Sequence, residues 1–524
     1  MTRRTQKILA VFAAGAAAMA GVGCGSAEKK DTASTTASGG DSTTLRIPYL
    51  GDMSVPDPDV FYDIEGNGVL LSQYEGLLKY KAGTLDIVPN LATKYEISDD
   101  GKTYTFTLRD DVVFHSGPKM TCDSVKAAFE RRVDVDAAPA WMLADVKSMT
   151  CTDDTTFVIE LKNKVTPFLH YMASSWGPKV IGPEAIETNA GKDYGQTFLE
   201  TKGDGTGPYK LSSFKRGSAY TLTKNDNYWG TPANFKEVII SITPDMGTQR
   251  LKLEKGDLDV ILHGFPASEL ESLPDNIKVE KQDSLLRLIL YVNSNKAPFN
   301  DPEVRAGLQS SIDTNQLVEQ GYSDTAAKST GIYPPGLLPG EPELPYTPDP
   351  AKAKAAADKA KTKKLTLGYS ADESGVQRRV GELLQAQLKT IGYDVSIKEV
   401  QLPQVYGWVK NPKDAPDLAI MTNTPDGAHP DLWASIMFSS TGGLNFFGVK
   451  NEAVDKNLGK AISLPPEQAD PIYKEIAQDV IDDNSFFLLG DVKNVFVMQD
   501  NLTGLQNTPA YPWLVDFSAL KRGN

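Results

Sequence analysis

The first 24 residues decide where this chain folds. Arg3, Arg4 and Lys7 give a positive start. Ile8 to Ala20 is an uncharged run of Ala, Val, Leu, Phe, Met and Gly, and the small residues Gly21-Val22-Gly23 lead to Cys24. That layout is a bacterial secretory signal. The apolar run is too short and too rich in alanine for a permanent anchor. Beyond it, no apolar stretch approaches the roughly 20 residues that a spanning helix needs. The body is therefore expected to fold as a soluble protein outside a membrane, where paired cysteines oxidise.

A cysteine after a small residue at the end of such a segment resembles a lipobox. It predicts removal of residues 1–23 and a diacylated Cys24. Gly21 departs from the pattern, which prefers Leu or another aliphatic residue there, and an ordinary signal with an incidental cysteine is the other reading. Arg3-Arg4 suits a twin-arginine signal, but Thr5-Gln6-Lys7 lacks the apolar residues that usually follow, so both export routes stay open. Residues 24–44, rich in Ser, Thr, Gly, Ala and Asp, read as the lipidated cysteine and a flexible tether. Cys122 and Cys151 are then left as a pair, expected to bridge, with two buried free thiols as the alternative.

A chain of 524 residues is too long for one core and predicts two or three domains. Its net charge of −14 argues against nucleic acid, because phosphates need clustered Lys and Arg. Strand and helix signals mix throughout. Thr103 to Leu108 alternates after the turn Asp99-Asp100-Gly101, and Phe157, Ile159 and Leu161 repeat the pattern. Val238 to Ile242 is nearly continuous in apolar residues and suits a strand buried on both faces. Asp301-Pro302-Glu303 and Asp470-Pro471 each read as a helix start. Ser374 and Gln377 form a capping box for a helix with Val376, Val380, Leu383, Leu384, Leu388 and Ile391 on one side. Gly392 stops it and Val395 and Ile397 begin the next strand, which makes an α/β lobe.

Catalytic patterns are missing. No two of His115, His170, His263 and His429 have the spacing of a metal-binding helix pair. Gly368-Tyr369-Ser370-Ala371-Asp372 fails the nucleophile-elbow pattern at its second glycine. No glycine loop ends in Lys-Ser or Lys-Thr. The chain is read as a non-enzyme, with no cofactor and no metal.

From about residue 45 to 520 the chain resembles the peptide/nickel class of extracellular solute-binding proteins, the family-five, cluster C group that serves ABC importers. The landmarks occur in the family's order: Tyr74 to Leu78, Asp100 to Arg109 running into Val113 to Gly117, and Gly205-Thr206-Gly207-Pro208-Tyr209. Then come Asn225 to Trp229, Lys255 to Asp259, Asn293, Pro298 to Asp301 and Val304-Arg305. Tyr228-Trp229 are open to two readings, pocket lining or packing. The resemblance implies an α/β, two-lobed periplasmic-binding-protein-like fold with an extra subdomain inserted in lobe I. Lobe I is expected at 45–75, 204–292 and 495–524, the insert at 76–203 and lobe II at 293–494.

It also implies a function. A monomer, tied to the outer face of the cell membrane by its lipid, closes two lobes on a small solute and delivers it to an ABC permease. A dipeptide or oligopeptide is the first expectation for the solute. The same fold in the family also takes metal chelates, haem, opines and oligosaccharides, and a secreted hydrolase or a sensor lipoprotein without transport is a remote alternative. Thr424 to Trp433 resembles the family's cleft motif, in which an aspartate holds the ligand's α-ammonium group. Asp426 is that aspartate, although Gly427 replaces the usual aromatic neighbour and Pro425 precedes it; a turn aspartate bonding to local backbone is the other reading. Trp433 is the expected aromatic wall, with Trp408 and Tyr406 as further candidates; core packing is the alternative for each. The leader generates the first prediction: a Cys24→Ala variant should leave the membrane fraction and be recovered soluble, by immunoblot of fractionated cells.

Overall fold

Strand periodicity carries the architecture. A computed structural model describes residues 42–370 and 374–523; the leader, Cys24 and most of the tether lie outside the described residues. Thr103–Leu108 and Thr156–Leu161 are strands that alternate half-buried and buried side chains. With Ala92–Ile97 and Val146–Asp153 they form an antiparallel four-stranded sheet. The helix Cys122–Val135 starts at a Thr121–Ser124 capping box. A disulfide from its first residue, Cys122, to Cys151 ties it to the sheet, with the Cα atoms 5.8 Å apart.

A second sheet runs Thr44–Tyr49, Glu237–Ile242, Ala219–Lys224, Tyr209–Lys215, with the first pair parallel. Here the expectation of a strand buried on both faces is corrected. Val238 and Ile240 are fully buried, but Ile239 and Ile242 are half-covered. Only one face of this sheet meets a core, so alternation reappears despite the apolar run.

The third sheet links two lobes. Ile277–Val292 and Phe486–Gln499 pair antiparallel from Ile277–Gln499 to Tyr291–Phe486. Val260–Ile261 joins at one end. Leu418–Asn423, Lys364–Ser370 and Asp394–Val400 continue the sheet from the other side. One strand serves both cores: Phe496 and Met498 pack with Leu45, Ile47 and Ile240, whereas Phe487 and Leu489 pack with Leu365, Leu418 and Ile420. The expected late strand at Val495 to Val497 is the first-lobe end of this crossing. The ladder slips between Gln282 and Leu286. There Ser284 Oγ donates to Val492 O (2.5 Å) and Asn507 Nδ2 to Asp283 O (3.1 Å), so the slipped backbone stays satisfied.

Helix starts follow local chemistry with one exception. Asp301 caps Pro302–Gln309 by accepting from Glu303 N. Asp470-Pro471 does not open a helix. The helix Pro466–Asp483 begins at Pro465-Pro466 and carries Pro471 inside it. Pro466 takes the first helical position, where a missing N–H costs nothing, and Pro471 then removes one bond near the start of the helix. The helix Ser374–Thr390 forms as expected and Gly392 ends it at φ 97°. Gln377 Oε1 accepts from Ser370 N; the expected capping box rests on the Ser374 side chain, which lies outside the described residues. Among the described residues no helix is long and apolar enough to cross a membrane.

The segment before Asn67–Gln73 is held by buried charge. Asp57 and Asp59 are inaccessible, and Arg131 reaches both, at 2.6 and 2.5 Å. Arg132 Nε lies 2.8 Å from Asp59 Oδ1, and its Nη2 donates to Pro58 O. Two acids and two bases neutralise each other and fasten residues 57–63 to the helix Cys122–Val135. Removing one partner leaves a buried charge uncompensated. An Asp59→Asn variant should lose about 3–5 kcal/mol of stability, read as a lowered urea midpoint.

Candidate functional site

Parallel strands place their following loops on one edge of a sheet, where solutes bind in open α/β architectures. The strand Leu418–Asn423 ends on such an edge, and residues 424–429 connect it to the helix Pro430–Met437. His429 caps that helix, its Nδ1 accepting from Asp431 N at 3.1 Å. Asp426 stands in the middle of the connection and is 5% exposed.

Its partner comes from the other lobe. Tyr62, next to the first-lobe core residue Phe61, donates its hydroxyl to Asp426 Oδ2 at 2.5 Å. Trp141 Nε1 donates to the same tyrosine oxygen at 3.1 Å. The Tyr62 ring meets Trp176 edge-on at 5.7 Å, and Trp141 meets Tyr171 at 5.0 Å. From the second lobe, Asn423 Nδ2 donates to Tyr291 OH at 2.8 Å. Tyr291 and Tyr406 both pack against Phe446, at 5.3 and 5.8 Å. Tyr406 is 38% exposed and acts electrostatically on both Tyr62 and Tyr291. Burial pushes the Asp426 carboxyl up to about 7, opposed only in part by the Tyr62 bond.

Gly427 has a local reason. A Cβ there would lie 2.9 Å from Tyr80 OH and 2.8 Å from Leu432 Cδ1. The Tyr80 hydroxyl fills that space and accepts from Ala428 N at 2.8 Å. The same hydroxyl lies 2.9 Å from His170 Nδ1, within hydrogen-bond distance. His170 and His429 face each other with ring centres 5.2 Å apart. Nδ1 of His429 accepts from Asp431 N, so that neutral ring carries its proton on Nε2. A metal at His429 Nε2 would need that proton moved to Nδ1, against the helix cap. Among the described residues no group of three or more His, Cys, Asp or Glu side chains could hold a metal ion.

The expected aromatic residues divide. Tyr406 stands beside Tyr62 and Tyr291. Trp433 is corrected: it is fully buried, its indole N–H donates to Ile332 O at 2.9 Å, and it offers no surface to a solute. It lies on the inward face of a helix whose apolar side must be covered. Trp408 is also packed, 9% exposed and 5.6 Å from the Phe447 ring. Tyr228 and Trp229 do not line this site either; both donate to Glu75. Sequence reasoning missed Tyr62, Trp141 and Tyr291, which lie in no motif and meet Asp426 only through the fold.

Residues 86–445 match the family described as bacterial extracellular solute-binding proteins, family 5 Middle. The chain belongs to that family. Its members are substrate-binding proteins of transport systems that work with ABC permeases, not enzymes, and they act in the periplasm or outside the cell. A probable D,D-dipeptide-binding periplasmic protein of Escherichia coli K12 is 28% identical over 493 residues, which cover 91% of this chain and 94% of that one. A nickel-binding periplasmic protein of the same strain is 25% identical, covering 83% and 87%. The periplasmic binding protein DppA of Helicobacter pylori, solved with the peptide STSA, superposes with a TM-score of 0.79 at 24% identity, covering 92% and 98%. This family-5 fold is two-lobed, in agreement with the crossing strands.

The raised Asp426 carboxyl generates a pH prediction. The closed site binds the proton more tightly than an open, hydrated one, where the ordinary value is 3.8. Closure of the empty protein is therefore favoured at low pH, and that contribution is lost as pH rises through about 7. Small-angle scattering should show a larger radius of gyration at pH 8 than at pH 5 for the ligand-free protein. An Asp426→Asn variant should show no such pH dependence.

Proposed function

We propose that this chain captures a peptide by its N-terminal ammonium group at Asp426 and delivers it to an ABC permease, without itself catalysing a reaction. The observation that carries this reading is the buried carboxylate between lobes, met by a donor from the opposite lobe. An ammonium group supplies the same kind of donor with a full charge, and a charge-assisted bond in a dry cleft is the stronger one. Only the closed form offers contacts from both lobes, so the ligand stabilises closure. The dipeptide- and peptide-binding relatives support peptide as the class of solute. A nickel-binding relative exists, but the His429 tautomer set by the helix cap does not favour a metal on that ring.

In the same reading the mature protein is a monomer held at the outer membrane face by lipid on Cys24. Lobe I takes 45–75, 204–292 and 495–524, the insert 76–203, and lobe II 293–494. The test is at Asp426. Asp426→Asn keeps the shape and removes the charge, and should weaken binding of an amine-terminated peptide by roughly 2–5 kcal/mol in titration calorimetry. N-acetylation of the peptide should abolish tight binding to the native protein and matter little to the variant. Equal binding of free and acetylated peptide by both proteins removes Asp426 as the ammonium site.

A further inference from the structure

The surroundings of Asp426 carry more than an ammonium site. The influences on its carboxyl are burial and the Tyr62 hydroxyl; no lysine or arginine is among them. The charged group acting on Tyr62 is Asp426 itself. Arg131 and Arg132, which hold the segment before Tyr62, are neutralised by Asp57 and Asp59. Tyr62 touches the carboxylate, Trp141 and Trp176 touch Tyr62, and Tyr406 acts electrostatically on Tyr62, so the described contacts of the carboxylate are aromatic. Thr424, two residues away, keeps a buried hydroxyl without a hydrogen-bond partner.

We infer that this cleft selects solutes that bring positive charge without a nearby carboxylate: amines and amine-terminated peptides whose C-terminus is distant or blocked, in preference to free dipeptides. The inference rests on the reading of Asp426 as the ammonium site. The physical reason is charge balance. A cation placed here pairs with Asp426 and lies among aromatic faces, which attract it further. A carboxylate brought in beside it loses its hydration, gains no opposite charge and faces the charge of Asp426. A zwitterion short enough to keep both ends in the cleft is thereby penalised, and an amide or a long chain is not.

The experiment is titration calorimetry of the whole mature protein with Ala-Ala, Ala-Ala-amide, N-acetyl-Ala-Ala-amide and hexylamine. Ala-Ala-amide is expected to bind about tenfold or more tightly than Ala-Ala, hexylamine measurably, and the acetylated amide not at all. The inference is overturned if Ala-Ala binds as tightly as its amide, or if neither the amide nor hexylamine binds. If the amide wins over the free acid but Asp426→Asn binds it equally well, the selectivity stands and Asp426 as the ammonium site fails. A second variant guards against misfolding. Tyr406 is partly exposed, so Tyr406→Lys should fold, and by supplying the missing cation it should shift the preference towards Ala-Ala. No shift in a variant with native thermal stability also counts against the inference.

Discussion

Two strands carry the whole molecule. Ile277–Val292 and Phe486–Gln499 enter the core of one lobe at one end and the core of the other at the opposite end. The backbone connection between the lobes runs through their pairing, beside the side-chain contacts at Tyr62 and Tyr80. The ladder shifts register between Gln282 and Leu286 and again between Leu288 and Ile289, and at the first shift side chains rather than backbone complete it. The last part of the chain is drawn in as well. Asn494 Nδ2 donates to Asn507 Oδ1 at 2.8 Å, Asn494 Oδ1 accepts from Trp513 N, and Leu285 N donates to Pro509 O. A change of angle between lobes has to be absorbed where these bonds are few and local.

The family landmarks turn out to be scaffold. Glu75, buried, accepts from Thr206, Tyr228 and Trp229, so three separate landmarks meet on one carboxylate. Gly205 and Gly207 lie so close to residues 72–74 that a Cβ would come within 2.0 Å of Gln73 O and 2.5 Å of Ser72 O. His115 accepts from Gly205 N through Nδ1 and donates from Nε2 to Gly207 O, while burial lowers its pKa to about 4. These motifs specify how the first lobe closes on itself. None of the three contacts on Glu75 reaches Asp426.

The candidate site is assembled across a long gap in the chain. Tyr62 and Asp426 are separated by 364 positions. The segment carrying Tyr62 is held by the Asp57, Asp59, Arg131 and Arg132 network, and its ring by Trp176. The loop carrying Asp426 is held by Tyr80 and by the helix cap at His429. The largest apolar cluster runs from Leu77 and Phe106 to Trp433 and Ile476, so the strands of residues 92–161 and the second lobe pack as one body in this closed form. Rigid supports on both sides leave the hydroxyl and the carboxylate aimed at each other.

Sequence alone determined the elements that depend on neighbours in the chain. Alternation marked Thr103–Leu108 and Thr156–Leu161, Asp301 marked a helix start, and Gly392 marked a helix end. Motif order pointed to the family. What the tertiary structure alone decided was which face each residue meets. Trp433 looked like a cleft wall, but helix orientation turned it into the core, and a single covered face restored alternation to Val238 to Ile242. Tyr62, Trp141 and Tyr291 had no local signal at all, because a partner 79, 132 or 364 positions away is set by sheet order and lobe packing, not by spacing. Local chemistry fixes backbone shape within a few residues; only burial and long-range contact decide which polar group is left facing a solute.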